Sequence, residues 1–244
     1  MRVEHNFDTI APRRSVVTIG SFDGVHRGHR VLIEHLRAMA ARLDAESVVV
    51  TFDPHPRIAM GRAEGMQLLT TIEERASLLR DAGIDRMVVA HFDEAFRSQP
   101  YELFVRESLV AKLGMVGMIV GYNHRLGQGS EGNYERLRPL AEVCGFDIEC
   151  VAQHTASGDK ISSTVVREQI LAGDMRRAEL LLGARYMVRG EAVDGAIMDI
   201  DPYKLLPPSG EYRCMVNDTE LVATVDDRTI YIPDVRDGHT TLLF

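Results

Sequence analysis

Apolar runs without alternation recur along the chain, each followed by an amphipathic segment, and this rhythm most constrains the fold. The run Ser47–Phe52 contains consecutive valines, which is typical of a strand buried on both faces of a parallel sheet. The segment His29–Leu43 instead places its leucines on one helical stripe and its arginines elsewhere. The predicted strands are Val16–Gly20, Ser47–Phe52, Arg86–Phe92, Gly117–Gly121 and Phe146–Ala152. The predicted helices are His29–Leu43, Ile72–Ala82, Pro100–Gly114, Tyr134–Gly145, Thr164–Ala172 and Met175–Leu182. This order predicts an α/β domain built on a doubly wound parallel sheet.

Helix ends carry their own signals. Thr71 and Glu74 have the spacing of a capping box, which predicts a helix beginning at Ile72. Gly83 and Gly114 follow periodic segments, where glycine ends helices because it adopts the left-handed conformation without strain.

The sequence pattern of the chain changes after Gly183. Short β-prone segments follow, separated by Pro, Gly, Asn and Asp: Tyr186–Val193, Glu211–Val216, Glu220–Val225 and Thr229–Ile232. The stretch from Gly195 to Gly210 contains three prolines and is predicted to be a loop. We therefore predict a large domain at residues 1–185 and a small β-rich module at residues 186–244.

Charge and composition exclude several function classes. The net charge of the 244 residues is -8, which disfavours nucleic acid as a partner, and the absence of Trp disfavours a stacking surface for single strands. The three cysteines lack zinc-ligand spacing, which fits a reducing compartment. No leader and no apolar run of ~20 residues is recognised. These features predict a cytoplasmic protein that acts on small molecules away from membranes, and they leave its oligomeric state open.

The segment Gly20–His29 joins the first predicted strand to the first predicted helix. His26 and His29 are three residues apart at the helix start, beside backbone N–H groups that favour an anion such as phosphate. Gly24 and Gly28 allow a ligand to approach the backbone closely. The alternatives are capping or solvated histidines, and a metal site formed with Asp53 or His55.

Two further loops follow predicted strands. Thr51–Pro56 carries Phe52, Asp53 and His55, and its two prolines stiffen it. Val120–Gly132 carries Asn123 at the strand end. Its Gly127, Gly129 and Gly132 match a dinucleotide fingerprint but lie in the wrong βα unit, so a loop that contacts substrate is favoured. The carboxyl ends of parallel strands meet at one sheet edge, where ligands bind.

The segment Ile161–Arg167 begins a late helix. Ser162, Ser163 and Thr164 are suited to capping it and to exposing backbone N–H groups, and Arg167 in the first turn suits bidentate binding of an anion. A plain helix cap would have the same sequence.

Together these segments resemble a known family. The pattern Gly20-x-Phe22-Asp23-Gly24-Val25-His26-x-Gly28-His29 resembles the His-x-x-His motif of nucleotidyltransferases. With Thr51–Pro56, Val120–Asn123, Ile161–Arg167 and the segment from Leu171 to Gly183, it is similar to the FMN adenylyltransferase domain of bacterial bifunctional FAD synthetases. The resemblance implies a Rossmann-like sheet, ATP and FMN as substrates, FAD as product, and Mg²⁺ arriving with ATP rather than on a protein ligand.

The resemblance also implies roles for single residues. Catalytic roles are implied for His26, His29, Ser163, Thr164 and Arg167. ATP contacts are implied for Gly20, Ser21, Phe22, Asp23, Gly24, Gly28 and Ser162. Flavin or substrate contacts are implied for Phe52, Asp53, His55, Asn123 and Arg125.

The chain departs from the family pattern in two places. His124-Arg125-Leu126-Gly127 stands where the family has Phe-Arg-Phe-Gly. The segment from Asp194 to Pro202 replaces the Gly-rich stretch of the riboflavin kinase domain, which ends in Pro-Thr-Ala-Asn. We therefore expect residues 186–244 to be a shortened remnant of a riboflavin kinase-like barrel without kinase activity.

Other functions stay open at this point. The nucleotide motifs would also serve nucleotidyl transfer to another phosphorylated acceptor. A catalytically idle sensor of flavin or nucleotide, or a metal-dependent phosphohydrolase, would contain parts of the same pattern.

Overall fold

A computed structural model describes residues 1–8, 10–61, 65–152, 155–156, 159–233 and 235–244 of the chain. They form two compact units. The first comprises Met1–Phe22, Gly28–Glu64 and Leu78–His154, and the second comprises Asp23–Arg27, Gly65–Ser77 and Thr155–Phe244.

The first unit is built on a six-stranded, wholly parallel sheet of order β1-β4-β3-β2-β5-β6. Its strands are β1 Arg2–His5, β2 Ser15–Ile19, β3 Glu46–Asp53, β4 Arg86–His91, β5 Met115–Gly121 and β6 Asp147–Val151. The predicted α/β parallel sheet is confirmed. The central strands are buried along their length because helices cover a parallel sheet on both faces. Strand β1 was not predicted, because it is short and polar, as suits an edge strand.

Helices connect these strands and continue into the second unit. They are α1 Arg27–Arg42, α2 Pro56–Ala59, α3 Ile72–Asp81, α4 Glu94–Ser98, α5 Tyr101–Leu103, α6 Tyr134–Cys144, α7 Ser163–Leu171 and α8 Met175–Leu182. Phe104–Lys112 is a π-helix, so the predicted helix Pro100–Gly114 is two kinds of helix in sequence, and Gln128–Ser130 is a 3₁₀ turn. Helix α2 begins at Pro56, the last residue of the predicted loop Thr51–Pro56. This helix was not predicted, although Pro56 at its first position is a helix-start signal.

Two predicted helix-end signals are present in the structure. The Thr71 hydroxyl accepts from the amide of Glu74 at 3.2 Å, and the Glu74 carboxylate accepts from the amide of Thr71 at 3.0 Å, which completes the capping box. Gly114 has φ 69°, and a Cβ there would lie 2.6 Å from the carbonyl oxygen of Arg13, so only glycine fits this turn.

The second unit contains a closed antiparallel barrel of order β10-β13-β12-β11-β14-β9. The strands of this unit are β7 Thr155–Ala156, β8 Asp159–Lys160, β9 Met187–Val193, β10 Ala196–Met198, β11 Gly210–Val216, β12 Thr219–Asp226, β13 Thr229–Tyr231 and β14 Gly238–Leu243, of which β7 and β8 form a separate pair. The predicted β-rich module is therefore a barrel, and closure removes the exposed strand edges of a small sheet.

The predicted loop from Gly195 to Gly210 is wrong at its start, where β10 lies. Asp194 and Gly195 have φ 49° and 78° between the paired residues Val193 and Ala196, which makes a two-residue hairpin turn of the kind that Asp-Gly favours. Strand β14 was also not predicted, because four of its six residues are Gly, His and Thr and only the last two are apolar.

The barrel interior shares one apolar core with α7 and α8, through residues such as Val166, Ile170 and Leu181. Helices α7 and α8 therefore pack with the barrel in the second unit. The assignment of residues 1–185 and 186–244 as separate functional domains stays a prediction. Among the residues that the structure describes, no helix is both long and apolar enough to cross a membrane.

Candidate functional site

The turn between β2 and α1 has a strained backbone. Phe22, Gly24 and Val25 have φ values of 47°, 84° and 42°, and Phe22 and Val25 are fully buried. A β-branched residue rarely adopts positive φ, so the surroundings must hold Val25 in this conformation. A Cβ at Gly24 would lie 2.7 Å from a methyl group of Leu69, which requires glycine there. Strain of this kind accumulates at functional loops.

Asp23 is the centre of a buried polar network in the second unit and is 1% exposed. Its Oδ1 accepts from the amide of Thr70 at 2.9 Å, and its Oδ2 accepts from the guanidinium of Arg167 at 2.7 Å. The Thr70 hydroxyl in turn accepts from the amide of Gly24 at 3.1 Å. A buried carboxylate is stable when it is paired and hydrogen-bonded in this way. The network therefore determines the backbone of the turn at Asp23 and Gly24.

The start of α7 contributes to the same network. The Ser163 hydroxyl donates to the carbonyl oxygen of Asp23 at 2.8 Å, and Nε of Arg167 donates to the carbonyl oxygen of Gln67 at 2.8 Å. The Ser162 hydroxyl caps the helix by accepting from the amide of Val165 at 3.4 Å, whereas Thr164 is exposed. Of the residues predicted here, Ser162, Ser163 and Arg167 thus have protein partners.

The two predicted histidines differ in environment. His26 directly precedes α1 and is 6% exposed, and burial lowers its pKa to about 4 against the opposing charge of Asp23. Its imidazole is therefore neutral at pH 7. His29 lies in the first turn of α1, half-buried, with its ring 4.8 Å from that of Phe22 and tilted by 37°.

The carboxyl end of the parallel sheet brings together several predicted segments of the first unit. Gly20 follows β2, while Phe52 and Asp53 end β3, and Asn123 comes just after β5. These three strands are neighbours, and the strand order reverses between β2 and β5. Ligands bind at such a switch point in open α/β sheets. The Thr51 hydroxyl donates to the carbonyl oxygen of Ser21 at 3.0 Å, which links the ends of β2 and β3.

A cavity of about 520 Å³ lies within the first unit, beyond the ends of β3 and β4. We call it the aromatic cavity, because Phe52, Phe92 and Phe96 line it with pairwise ring distances of 5.5 to 5.7 Å. Arg125 and residues 126–130 line it from the loop after β5. Pockets of this size and lining bind small molecules.

Two of the predicted flavin residues, Phe52 and Arg125, therefore line one cavity together with the glycine-rich loop. Asp53, His55 and Asn123 do not line it. Asp53 and Asn123 are exposed, and Nδ1 of the buried His55 accepts from the amide of Arg57 at 3.2 Å, where it caps α2. Sequence reasoning missed Phe92 and Phe96. Their signal was a phenylalanine at the end of the predicted strand Arg86–Phe92 and a second one four residues later.

The described residues offer no protein cage for a metal. Among them, no three His, Cys, Asp or Glu side chains lie close enough together to hold an ion. The alternative of a zinc site at His26 and His29 would need three or four protein ligands.

Comparison with known proteins relates the chain to FAD synthetases. The FAD synthetase family profile matches residues 8–165. The bifunctional riboflavin kinase/FMN adenylyltransferase of Escherichia coli strain K12 is 32% identical over 191 residues, covering 78% of this chain and 61% of the relative. The protein of the same description from Listeria monocytogenes is 33% identical over 181 residues, covering 74% of this chain and 57% of the relative. The matched part thus spans about three fifths of the length of these relatives.

A solved structure resembles the chain over its whole length. It is described as a macrolide-efflux protein from Streptococcus pneumoniae, with a TM-score of 0.86 over 100% of this chain and 89% of that one. The sequence identity is 22%, so this likeness concerns the fold alone.

Proposed function

Because the chain belongs to the FAD synthetase family, we propose that it is an FMN adenylyltransferase, which transfers AMP from ATP to FMN to give FAD and pyrophosphate. The observation that carries the proposal is the aromatic cavity. A flavin is a planar aromatic ring system with a phosphate tail, and Phe52, Phe92 and Phe96 supply ring faces and edges for it. Arg125 supplies a planar cation that suits either the phosphate or the ring.

The proposed reaction is a direct displacement. An oxygen of the FMN phosphate attacks the α-phosphorus of ATP and forms a new P–O bond. The bond from the α-phosphorus to the oxygen bridging it to the β-phosphorus breaks, and pyrophosphate leaves with the electron pair. No covalent enzyme intermediate is needed, so the protein contributes orientation of the two substrates and stabilisation of charge.

Histidines would serve the triphosphate as hydrogen-bond donors. The low pKa of His26, caused by burial, supports a neutral donor that needs no reorganisation as charge develops on phosphate oxygens. We propose the same role for His29. Further ATP contacts are proposed for the turn residues Gly20, Ser21, Phe22, Asp23, Gly24 and Gly28, and for Ser162, Ser163 and Thr164.

Arg167 would bind the departing pyrophosphate. A guanidinium has five N–H donors, and the carbonyl of Gln67 and the carboxylate of Asp23 engage two of them. Arg167 is therefore able to hold Asp23 and a phosphate oxygen at once. Mg²⁺ bound to the phosphates would neutralise part of their charge.

The remaining sequence predictions complete the proposal. Asp53, His55 and Asn123 would contact the flavin or its phosphate from outside the aromatic cavity. The barrel of residues 186–244 would be a remnant of a riboflavin kinase fold without kinase activity.

Chromatography of a mixture of FMN, ATP, Mg²⁺ and protein tests the proposal. We expect FAD and pyrophosphate to form in equal amounts. His29→Ala should lose turnover while keeping the wild-type melting temperature, and His35→Ala, an exposed histidine on the same helix, should keep turnover. Absence of FAD at high protein concentration would contradict FMN as the acceptor. Pyrophosphate release with another phosphorylated acceptor would then identify the alternative transferase.

A parallel incubation with riboflavin, ATP and Mg²⁺ tests the kinase prediction. We expect no FMN, and appreciable FMN would overturn the expectation for the barrel.

A further inference from the structure

Lys204 is a buried cation that the proposed reaction does not use. It lies in the segment between β10 and β11, and its side chain is fully buried. Its ammonium group donates to the carbonyl oxygens of Leu69 and Met187 and to Oε2 of Glu74, the last at 2.7 Å. These acceptors match the three donors of an ammonium group. It also lies 4.2 Å from the centre of the Tyr186 ring, where a cation is favoured.

Backbone bonds join the same two segments. The amide of Leu68 donates to the carbonyl of Tyr203 at 2.6 Å, and the amide of Leu205 donates to the carbonyl of Leu68 at 2.8 Å. Lys204 therefore sits at the middle of a short ladder whose other side is Leu68. Both sides belong to the second unit.

The segment that Lys204 binds, residues 67–70, is the segment that holds the turn after β2. Thr70 bonds to the carboxylate of Asp23 and to the amide of Gly24. Gln67 receives the guanidinium of Arg167. A path of direct contacts thus runs from Lys204 through Leu69 and Thr70 to Asp23.

Two charge pairs flank this segment. Lys204 with Glu74 lies on one side, and Asp23 with Arg167 on the other. Buried pairs restrict geometry strongly because each charge must keep its partner, and their best supported use is to select one arrangement among several. The strained Val25 in the adjoining turn needs such an over-determined setting.

We propose that Lys204 is a positioning residue for the turn at residues 23–26. It fixes residues 67–70, which in turn hold Asp23 and Gly24 in the conformation that presents His26. This inference rests on the proposed function in one respect, namely that the turn binds ATP. It assigns the barrel unit a part in adenylyl transfer through a residue that touches no substrate.

Substitution of Lys204 tests the inference in the full chain. Lys204→Met removes the ammonium group and keeps the apolar stem, and the double variant Lys204→Met with Glu74→Gln avoids leaving a buried carboxylate unpaired if the single variant unfolds. Arg228→Met is the matched control. Arg228 donates to the carbonyl oxygens of Lys204 and Asp201, so it anchors the same segment through acceptors outside residues 67–70.

Calorimetric titration with ATP and with FMN separates positioning from general destabilisation. If the turn adopts its binding conformation about a tenth of the time, the apparent Kd for ATP rises about 10-fold. We expect this rise in the folded Lys204 variants, with the Kd for FMN unchanged, and neither change in Arg228→Met. Equal weakening of ATP and FMN binding, or unchanged ATP binding in a folded variant, would overturn the inference.

Amide hydrogen exchange provides a readout that does not need activity. Exchange at Gly24 and Thr70 should accelerate in the Lys204 variants and stay at the wild-type rate in Arg228→Met. If the wild-type protein makes no FAD, the proposed function fails while this readout still judges the positioning. Unchanged exchange at both amides in a folded variant would contradict the inference.

Discussion

The aromatic cavity of the first unit and the Asp23 network of the second unit differ in what their side chains contact. In the cavity, Phe52, Phe92 and Phe96 line a space of about 520 Å³. In the network, the polar atoms of Asp23 and Arg167 bond to protein groups at 2.7 to 2.9 Å. The cavity is open space lined by aromatic side chains, whereas the hydrogen bonds of the network hold a loop.

The residues that carry the family resemblance in the sequence therefore fall into two groups with different contacts. Some, such as Phe52 and Arg125, line a cavity. Others, such as Asp23 and Ser163, determine the backbone of the turn that carries His26. Substitutions in the network should therefore act first on stability, and substitutions in the cavity on binding.

The largest effect is expected for Asp23→Ala. It leaves the guanidinium of Arg167 and the amide of Thr70 without their buried acceptor, and breaking a buried pair lowers the free energy of unfolding by about 3–5 kcal/mol. Urea unfolding measures the change. Asp53→Ala, at an exposed carboxylate, is the control and should change stability little. An equal loss of stability in both variants would mean that the buried Asp23 network stabilises the fold no more than an exposed carboxylate does.

The second-largest effect is expected from acid, which should lower the free energy of unfolding by protonating His26. Burial lowers its pKa to about 4 in the folded protein, from 6.5 when exposed, so the unfolded chain binds the proton more tightly. Stability is then full above pH 6.5 and declines as pH falls towards 4, by roughly 3 kcal/mol for this group. His124, whose pKa burial also lowers to about 4, adds to the decline.

Unfolding midpoints in urea across this pH range measure the decline. His26→Gln removes the contribution of His26 and leaves that of His124. The free energy of unfolding should therefore decline less steeply as the pH falls. An unaltered slope in that variant would mean that His26 does not titrate as its burial indicates.

A smaller, selective effect is expected for Phe92→Ala. The ring lines the aromatic cavity, and loss of one aromatic contact weakens FMN binding by about 1 kcal/mol, or roughly 5-fold. Fluorescence titration of FMN measures the change, and the Kd for ATP should stay constant. Tyr122→Ala, at an exposed aromatic residue that does not line the cavity, serves as the control. If both variants bind FMN equally, the cavity is not the flavin site.

The smallest effect contrasts two neighbours at the start of α7. Ser163→Ala loses the bond to the carbonyl of Asp23, which lowers the free energy of unfolding by about 1 kcal/mol. Thr164→Val, at an exposed position, should keep stability and lower turnover if its hydroxyl contacts phosphate. Melting curves and FAD formation measure the two. Normal turnover in Thr164→Val would remove that residue from the proposed machinery.

Local patterns in the sequence were sufficient for much of the fold. Consecutive valines in β3 predicted a buried parallel strand, and Thr71 with Glu74 predicted the capping box, because both depend on neighbouring residues. The polar strand β1 was missed for the same reason, since only its pairing with β4 makes it a strand.

The site depends on contacts that are distant in sequence. The pairing of Asp23 with Arg167 joins residues 144 positions apart. The resemblance implied an ATP contact for Asp23 and a catalytic role for Arg167, and it did not imply that the two side chains pair. Phe92 was visible at the end of a predicted strand. Its place in the cavity depends on the strand order, which puts β4 beside β3.

Isotope labelling tests the central claim of adenylyl transfer to FMN most directly. The purified protein is incubated with FMN, Mg²⁺ and ATP labelled with ³²P at either the α- or the γ-phosphate. We predict that the α label appears in FAD and the γ label in pyrophosphate. Label in orthophosphate, or no transfer of the α label to FMN, would contradict it.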